Sequence, residues 1–159
     1  MITIQKAKLS DIASMQELVK DDVSSGVILA RSEDEVATNI RSYVLAKDGD
    51  LLVGYTALHI HSKRLAEIRS LIVHPNYRAK GIGTQMVSFC LDEARAIGIE
   101  QDVLVLTYVP KFFEQLGFKE IKKEEIPEHK IWADCIKCIH FPVCNEVALI
   151  YSLLENKGA

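Results

Sequence analysis

The stretch Ser70-Leu71-Ile72-Val73-His74-Pro75-Asn76-Tyr77-Arg78-Ala79-Lys80-Gly81-Ile82-Gly83-Thr84 limits what this chain can fold into more than any other segment. It reads as a strand ended by Pro75, a loop carrying two cations, and the first turn of a long helix. Gly81 and Gly83 let the chain turn tightly and bring backbone N–H groups close to a ligand. The unpaired amides at a helix start favour an anion such as a pyrophosphate, and Arg78 and Lys80 add positive charge there. Taken alone, a glycine pair at a helix entry is also compatible with an ordinary turn flanked by solvated cations.

The segments on either side set the fold class. Ile2 and Ile4 alternate with Thr3 and Gln5 as a short strand, and Ser10 or Asp11 can cap a helix running through Val23, with Gly26 where it should stop. Ser32 and Glu35 have capping-box spacing and open a second helix through Arg41. Tyr43 to Lys47 and Leu51 to Ile60 read as a hairpin around Asp48-Gly49-Asp50, and Leu65 to Val73 as the next strand. From Gly81 to Ile97, the apolar residues Ile82, Met86, Phe89, Cys90, Ala94 and Ile97 recur at helical spacing before Gly98. Val103 to Thr107 is a strand, Pro110 opens a short helix ended by Gly117, and Glu146 to Leu154 is the last strand. This mixture predicts one α/β domain over residues 1–159, with a cysteine-rich insert at about 122–145 before the last strand.

The 159 residues suit one domain of ordinary size. A net charge of −3 implies no broad cationic face, so nucleic acid is not expected as a partner. No apolar run reaches membrane-spanning length, and Met1 to Ser10 alternates apolar and polar residues, so no membrane association and a cytoplasmic location are expected.

The loop with its preceding strand resembles motif A of the GNAT superfamily of N-acetyltransferases, whose Arg/Gln-x-x-Gly-x-Gly/Ala pattern is matched by Arg78, Gly81 and Gly83. Phe112-Phe113-Glu114-Gln115-Leu116-Gly117-Phe118 is similar to the family's later motif B, and the order of elements to about residue 121 agrees. The resemblance implies a central mixed, mostly antiparallel sheet, splayed at an acetyl-CoA site and flanked by helices. It implies that Ile72 and Val73 offer backbone groups to the pantetheine arm. Arg78, Ala79, Lys80, Gly81, Ile82, Gly83 and Thr84 would then hold the pyrophosphate of acetyl-CoA.

An amine is mostly protonated at neutral pH and must lose a proton before it attacks a thioester. Ala66-Glu67-Ile68 resembles the segment in which several family members carry their base glutamate, so Glu67 is a candidate. The alternative is a glutamate on an exposed strand face beside Arg69. His59 and His61, read as sharing a face of the adjacent strand, can relay a proton or act as the base instead. The amide of Val73 is the family-like oxyanion donor. Where the family often has a tyrosine acid the sequence has Phe113, which leaves Tyr108 as a weak substitute whose plainer role is packing at a strand end.

Gly26-Val27-Ile28-Leu29-Ala30-Arg31-Ser32 resembles the helix connector of N-acetylglutamate synthases, in which the arginine of a Leu-x-Arg run grips a substrate carboxylate. Ala66 to Leu71 and Leu106-Thr107 extend that resemblance, particularly to the short bacterial form without a kinase domain. It implies acetylation of the α-amino group of glutamate, the first step of arginine biosynthesis. Leu29, Arg31, Arg69 and Ser70 would bind the acceptor, and Arg69 or Lys130 would supply a second cation. Other amines remain open as acceptors, namely a protein N-terminus, a polyamine or an antibiotic, as does a non-catalytic acyl-CoA or metal-responsive module. A homodimer is also left open. Cys135, Cys138, His140 and Cys144 can fill four positions on zinc, form a redox disulfide or simply pack, and the spacing does not choose between these. Cys90 reads as core.

Overall fold

The computed structural model describes residues 1–26, 28, 30–122, 125–126 and 146–155. Its strands are β1 (Ile2–Lys6), β2 (Tyr43–Asp48), β3 (Leu51–Ile60), β4 (Leu65–Val73), β5 (Asp102–Thr107), β6 (Lys119–Ile121) and β7 (Val147–Ser152). They follow the order β1-β2-β3-β4-β5-β7-β6 in one mixed sheet. The helices are α1 (Ile12–Leu18), α2 (Lys20–Ser24), α3 (Glu33–Thr38), α4 (Ile82–Ile97) and α5 (Pro110–Glu114). Helix α4 links the neighbouring strands β4 and β5, a helical crossover of the kind that parallel neighbours require. No described helix is long and apolar enough to cross a membrane.

The chain divides into two compact units, the first comprising Met1–His59 with Ile68–Glu93, the second Ile60–Glu67 with Ala94–Ala159. In the first unit β1, β2 and β3 pair antiparallel. One apolar cluster joins Ile12, Met15, Val19 and Val36 to Tyr43, Leu45, Tyr55 and Ala57 of the hairpin. A second joins Ala46 and Val53 to Ile82 and Met86 of α4. Alternating strand residues thus feed two separate cores. Within α4, Ile82, Met86, Cys90 and Ala94 form a buried row at i, i+4 spacing. Burial pushes the Cys90 thiol up to about 12, with Glu93 adding to the rise, as befits a core cysteine.

Between Ala46 and Lys47 the β2–β3 register slips by one, so Val53 is an extra residue facing β2. Gly54 follows it. A Cβ at Gly54 would lie 2.7 Å from the carbonyl oxygen of Ile72 and 3.1 Å from Met86 Cε, so only glycine lets β3 and the end of β4 come this close.

In the second unit β7 pairs antiparallel with both β5 and β6. Phe113, Phe118 and Tyr151 form an aromatic series with centroids 5.3 and 5.4 Å apart. Arg95 Nη2 donates to Tyr151 Oη at 2.9 Å. Gly117, with φ 101°, closes the turn after α5 where a Cβ would come within 3.1 Å of the Tyr151 ring.

Several boundaries differ from those read in the sequence. The first helix is two, because Val19 leaves helical geometry (φ −104°, ψ 4°) while its side chain enters the core. Asp11 does not cap that helix. Its carboxylate takes the N–H of Lys8 at 2.8 Å and Lys47 Nζ at 2.9 Å. The Ser32–Glu35 capping box forms, at 3.1 and 3.4 Å, but α3 stops at Thr38, where Asn39 Nδ2 donates to the Glu35 carbonyl at 2.9 Å. Ile97 is 51% exposed although it continues the buried stripe, because it stands in the last turn of α4, and strand β6 has no strong signal in the sequence.

Replacing Gly54 with alanine forces the Ile72 backbone to move. The expected cost is about 1–3 kcal/mol of stability, read as a lower midpoint of urea unfolding with an unchanged slope.

Candidate active site

Three structures gather the residues picked out in the sequence. The first is the loop after β4. Ile72 is buried and Val73 half-buried at the strand end, and the His74 N–H donates to the Val53 carbonyl at 2.7 Å. A turn over Pro75–Tyr77 follows, held by Asn76 N–H to His74 Nδ1 at 3.1 Å and Tyr77 N–H to the His74 carbonyl at 2.8 Å. The Tyr77 hydroxyl donates to Asp48 Oδ2 at 2.8 Å, which raises the phenol's pKa and lowers that of the carboxyl. Lys80 Nζ stands 5.4 Å over the Tyr77 ring, and Arg78 Nε donates to the Val73 carbonyl at 3.1 Å.

The loop backbone is left-handed at Ala79 (φ 61°) and again at Gly81 (φ 79°). The Gly81 carbonyl accepts from Gln85 N–H at 3.1 Å, so α4 starts directly after it. The amides of Ile82, Gly83 and Thr84 therefore have no carbonyl one turn back to bond. Exposed Arg78 and Lys80 flank them. This is a cradle of backbone donors and cations suited to a polyanion. The pairing of Tyr77 with Asp48 has no signal in the sequence, because the two are 29 residues apart and lie in separate segments.

The second structure is a cavity of about 470 Å³ in the first unit. Arg31, Ser70, Tyr43, Tyr55, Met15 and Val36 are among its lining residues. Arg31 is exposed, and its guanidinium makes no ion pair among the described residues. Ser70 has φ 55°, a left-handed residue inside a strand, which costs a non-glycine residue about 1–2 kcal/mol. Beside it, the fully buried Thr56 hydroxyl donates to the Arg69 carbonyl at 2.8 Å. Burial raises the pKa of Tyr43, partly offset by the positive charges of Arg31 and Arg69, so both cations act on this end of the cavity. Of the candidate acceptor-binding residues, Arg31 and Ser70 thus share a cavity, and Arg69 precedes Ser70 on β4. Leu29 and Lys130 lie outside the described residues, as do Cys135, Cys138, His140 and Cys144.

The third is a buried pair in the second unit. Glu67 is only 3% exposed, which removes the exposed-face alternative. His61 Nε2 lies 2.8 Å from Glu67 Oε1, with the two side chains 2% and 4% exposed. His61 sits just past β3 in the β3–β4 turn, where its N–H donates to the Leu65 carbonyl at 3.0 Å, so it does not share a strand face with His59. Tyr108, 55% exposed after β5, is not packed away as a strand-end ring would be, whereas Phe113 is buried in α5.

The strand, the loop and the long helix that follows it belong to a known family, as similarity to known proteins shows. Residues 12–118 match the model of the "Acetyltransferase (GNAT) family", so the chain belongs to that family. An uncharacterised N-acetyltransferase of Chlorobaculum tepidum is 34% identical over 153 residues, 94% of this chain and 96% of that protein. An amino-acid acetyltransferase of Vibrio vulnificus is 25% identical over 128 residues, and the match spans 80% of this chain but 29% of that longer protein. In fold, the chain superposes on N-acetylglutamate synthase from Neisseria gonorrhoeae, complexed with coenzyme A and N-acetyl-glutamate. There the TM-score is 0.82 and the identity 24%, over 96% of this chain and 35% of the other. A Mycobacterium tuberculosis protein complexed with CoA matches over 95% of this chain and 99% of its own length, with a TM-score of 0.79 and 25% identity. The chain is a GNAT N-acetyltransferase, a family that draws its acetyl group from acetyl-CoA.

His61→Phe removes one hydrogen bond from a buried carboxylate. It should lower stability by about 1–3 kcal/mol, measured by denaturant unfolding at neutral pH.

Proposed function

We infer that this protein acetylates the α-amino group of a small acidic amino acid, L-glutamate first among them. The observation that carries the reading is Arg31, a guanidinium without an ion pair among the described residues, lining a cavity of about 470 Å³ beside Ser70. A guanidinium offers a carboxylate two parallel hydrogen bonds, which fixes the orientation of an amino acid as well as holding it. A polyamine would leave that group unused. The amino-acid acetyltransferase and N-acetylglutamate synthase relatives support the same acceptor, although the chain spans only 29% and 35% of their lengths.

Acetyl-CoA supplies an activated acyl thioester. Arg78 to Thr84 would hold its pyrophosphate through loop amides and two cations, and Ile72 and Val73 would align its pantetheine arm through backbone groups. The Val73 amide would donate to the oxyanion that develops on the attacked carbonyl. Glu67, directly or through a water it holds, would take the proton from the acceptor's ammonium. Tyr108 is the available donor for the departing thiolate, itself a good leaving group. Arg69 supplies further positive potential near the acceptor, and Leu29 flanks Arg31 in the connector.

Thiol release from acetyl-CoA, measured with glutamate, glutamine, aspartate, lysine, spermidine and a peptide N-terminus, tests the reading. Turnover confined to glutamate and close analogues is expected, and turnover of spermidine or peptide alone would overturn the acceptor. Arg31→Ala should raise the KM for glutamate ten-fold or more with a smaller effect on kcat. Glu67→Gln should lower kcat by about 10²- to 10⁴-fold while acetyl-CoA binding persists, and an unaltered kcat would remove it from the role of base.

A further inference from the structure

Tyr43 and Tyr55 both line the Arg31 cavity, and both are more than nine-tenths buried, at 6% and 7% exposed. Buried phenols normally find a hydrogen-bond partner. Here neither hydroxyl has one among the described residues, although Tyr77 and Tyr151, elsewhere in the chain, both do. Neither oxygen is among the sealed unpaired atoms, so both keep some accessible surface. The two rings meet edge-on at 5.7 Å, so each restrains the other.

Two buried donors that line one cavity, without a partner among the described residues, call for an oxygen acceptor from a ligand. We propose that Tyr43 and Tyr55 form the subsite for the polar end of the acceptor's side chain, donating O–H hydrogen bonds to its carboxylate or amide oxygen. Arg31, in this arrangement, takes the α-carboxylate at another part of the same cavity. The proposal rests on the acceptor reading above and deepens it.

Charge around the cavity fits recognition by neutral donors. The other ionisable lining residues, Glu17 and Lys20, are of opposite sign, so beyond Arg31 the lining carries no net charge. Burial raises both phenols above their ordinary pKa, so each keeps the proton it needs to donate. A phenol can also accept, so a terminal amide suits the subsite as well as a carboxylate. An apolar side chain of the same length would leave both hydroxyls unpaired, and a site built to hydrogen-bond its ligand discriminates strongly against such an analogue.

The test compares glutamate, glutamine and norvaline, whose side chain is apolar and of similar length. Affinities are read by calorimetry in the presence of CoA, and kcat/KM ratios by thiol release. Tyr43→Phe and Tyr55→Phe keep the rings and their edge contact. If one variant fails to fold by its thermal midpoint, the other still decides the matter.

The expected result is that each variant lowers the preference for glutamate over norvaline about ten-fold, with glutamine falling alongside glutamate. An unaltered preference in both variants, while Arg31→Ala still weakens all three ligands, would overturn the tyrosine subsite and leave the proposed function standing. If Arg31→Ala leaves all three affinities untouched, or the wild-type chain binds none of them, the cavity is not the acceptor site and both readings fall together.

Discussion

One extra residue in the β2–β3 hairpin, Val53, organises the first unit. Counting outward from the Asp48-Gly49-Asp50 turn without a bulge, Tyr43 would stand opposite Thr56, and Tyr55 would point to the other face. The slip at Ala46/Lys47 instead places Tyr43 opposite Ala57 and Leu45 opposite Tyr55. Side chains two apart along a strand share a face, so Tyr43, Leu45, Tyr55 and Ala57 now face one side together. The Val53 side chain goes to the other side, against Ile82 and Met86. Its carbonyl takes the His74 N–H at 2.7 Å, which ties the start of the anion loop to the hairpin. Gly54 then leaves room for Ile72. The cavity proposed for the acceptor and the loop proposed for the acyl donor therefore share one backbone irregularity.

Strand β4 carries the second irregularity. From Leu65 to Ile68 it is buried at every position, as expected of a strand covered on both faces. At Ser70 the backbone turns left-handed, and the next residues are only half-buried until Ile72. The Arg69 carbonyl accepts from the buried Thr56 hydroxyl, so a side chain on the neighbouring strand supplies the partner at the point of strain. Strain of this kind persists only where its surroundings over-determine it. In a strand nine residues long, Glu67 and Ser70 are three apart, with Ile72 and Val73 at the end. A single strand thus presents the proposed base, one wall of the cavity and the backbone proposed to align the acyl donor.

The sequence shows some of this plainly and some of it not at all. The anion loop is legible because its function lies in the backbone, and the backbone announces itself through glycines at fixed spacing and a strand-to-helix change of period. The Ser32–Glu35 box is legible for a similar reason, since both partners lie within one helical turn. Arg31 was found through a resemblance, and the cavity it lines appears only after α1, α2 and the hairpin are assembled. Tyr43 and Tyr55 were read merely as strand residues, because their common face depends on the bulge at Val53, which no local residue choice signals. His61 was recognised as a candidate but placed on the strand rather than in the turn, where it meets Glu67. Cys90 read correctly because burial of a helical stripe is periodic. Ile97 did not, because the last turn of α4 passes beyond the surface that covers the rest of the stripe.

This difference in legibility has a physical root that also bears on function. A cradle of amides binds a phosphate whatever side chains surround it, so it tolerates wide sequence change as long as the turn geometry survives. A cavity that recognises an acceptor works through side chains, and one residue of register moves each of them to the opposite face. Donor binding is therefore the robust half of such an enzyme and acceptor binding the adjustable half. In the proposed arrangement the adjustable half of this chain is concentrated where Arg31 precedes α3 and where the bulged hairpin places Tyr43 and Tyr55 on one face. A change in acceptor would require only a different residue at one of these points, or a hairpin without its extra residue, and would leave the loop from His74 to Thr84 untouched.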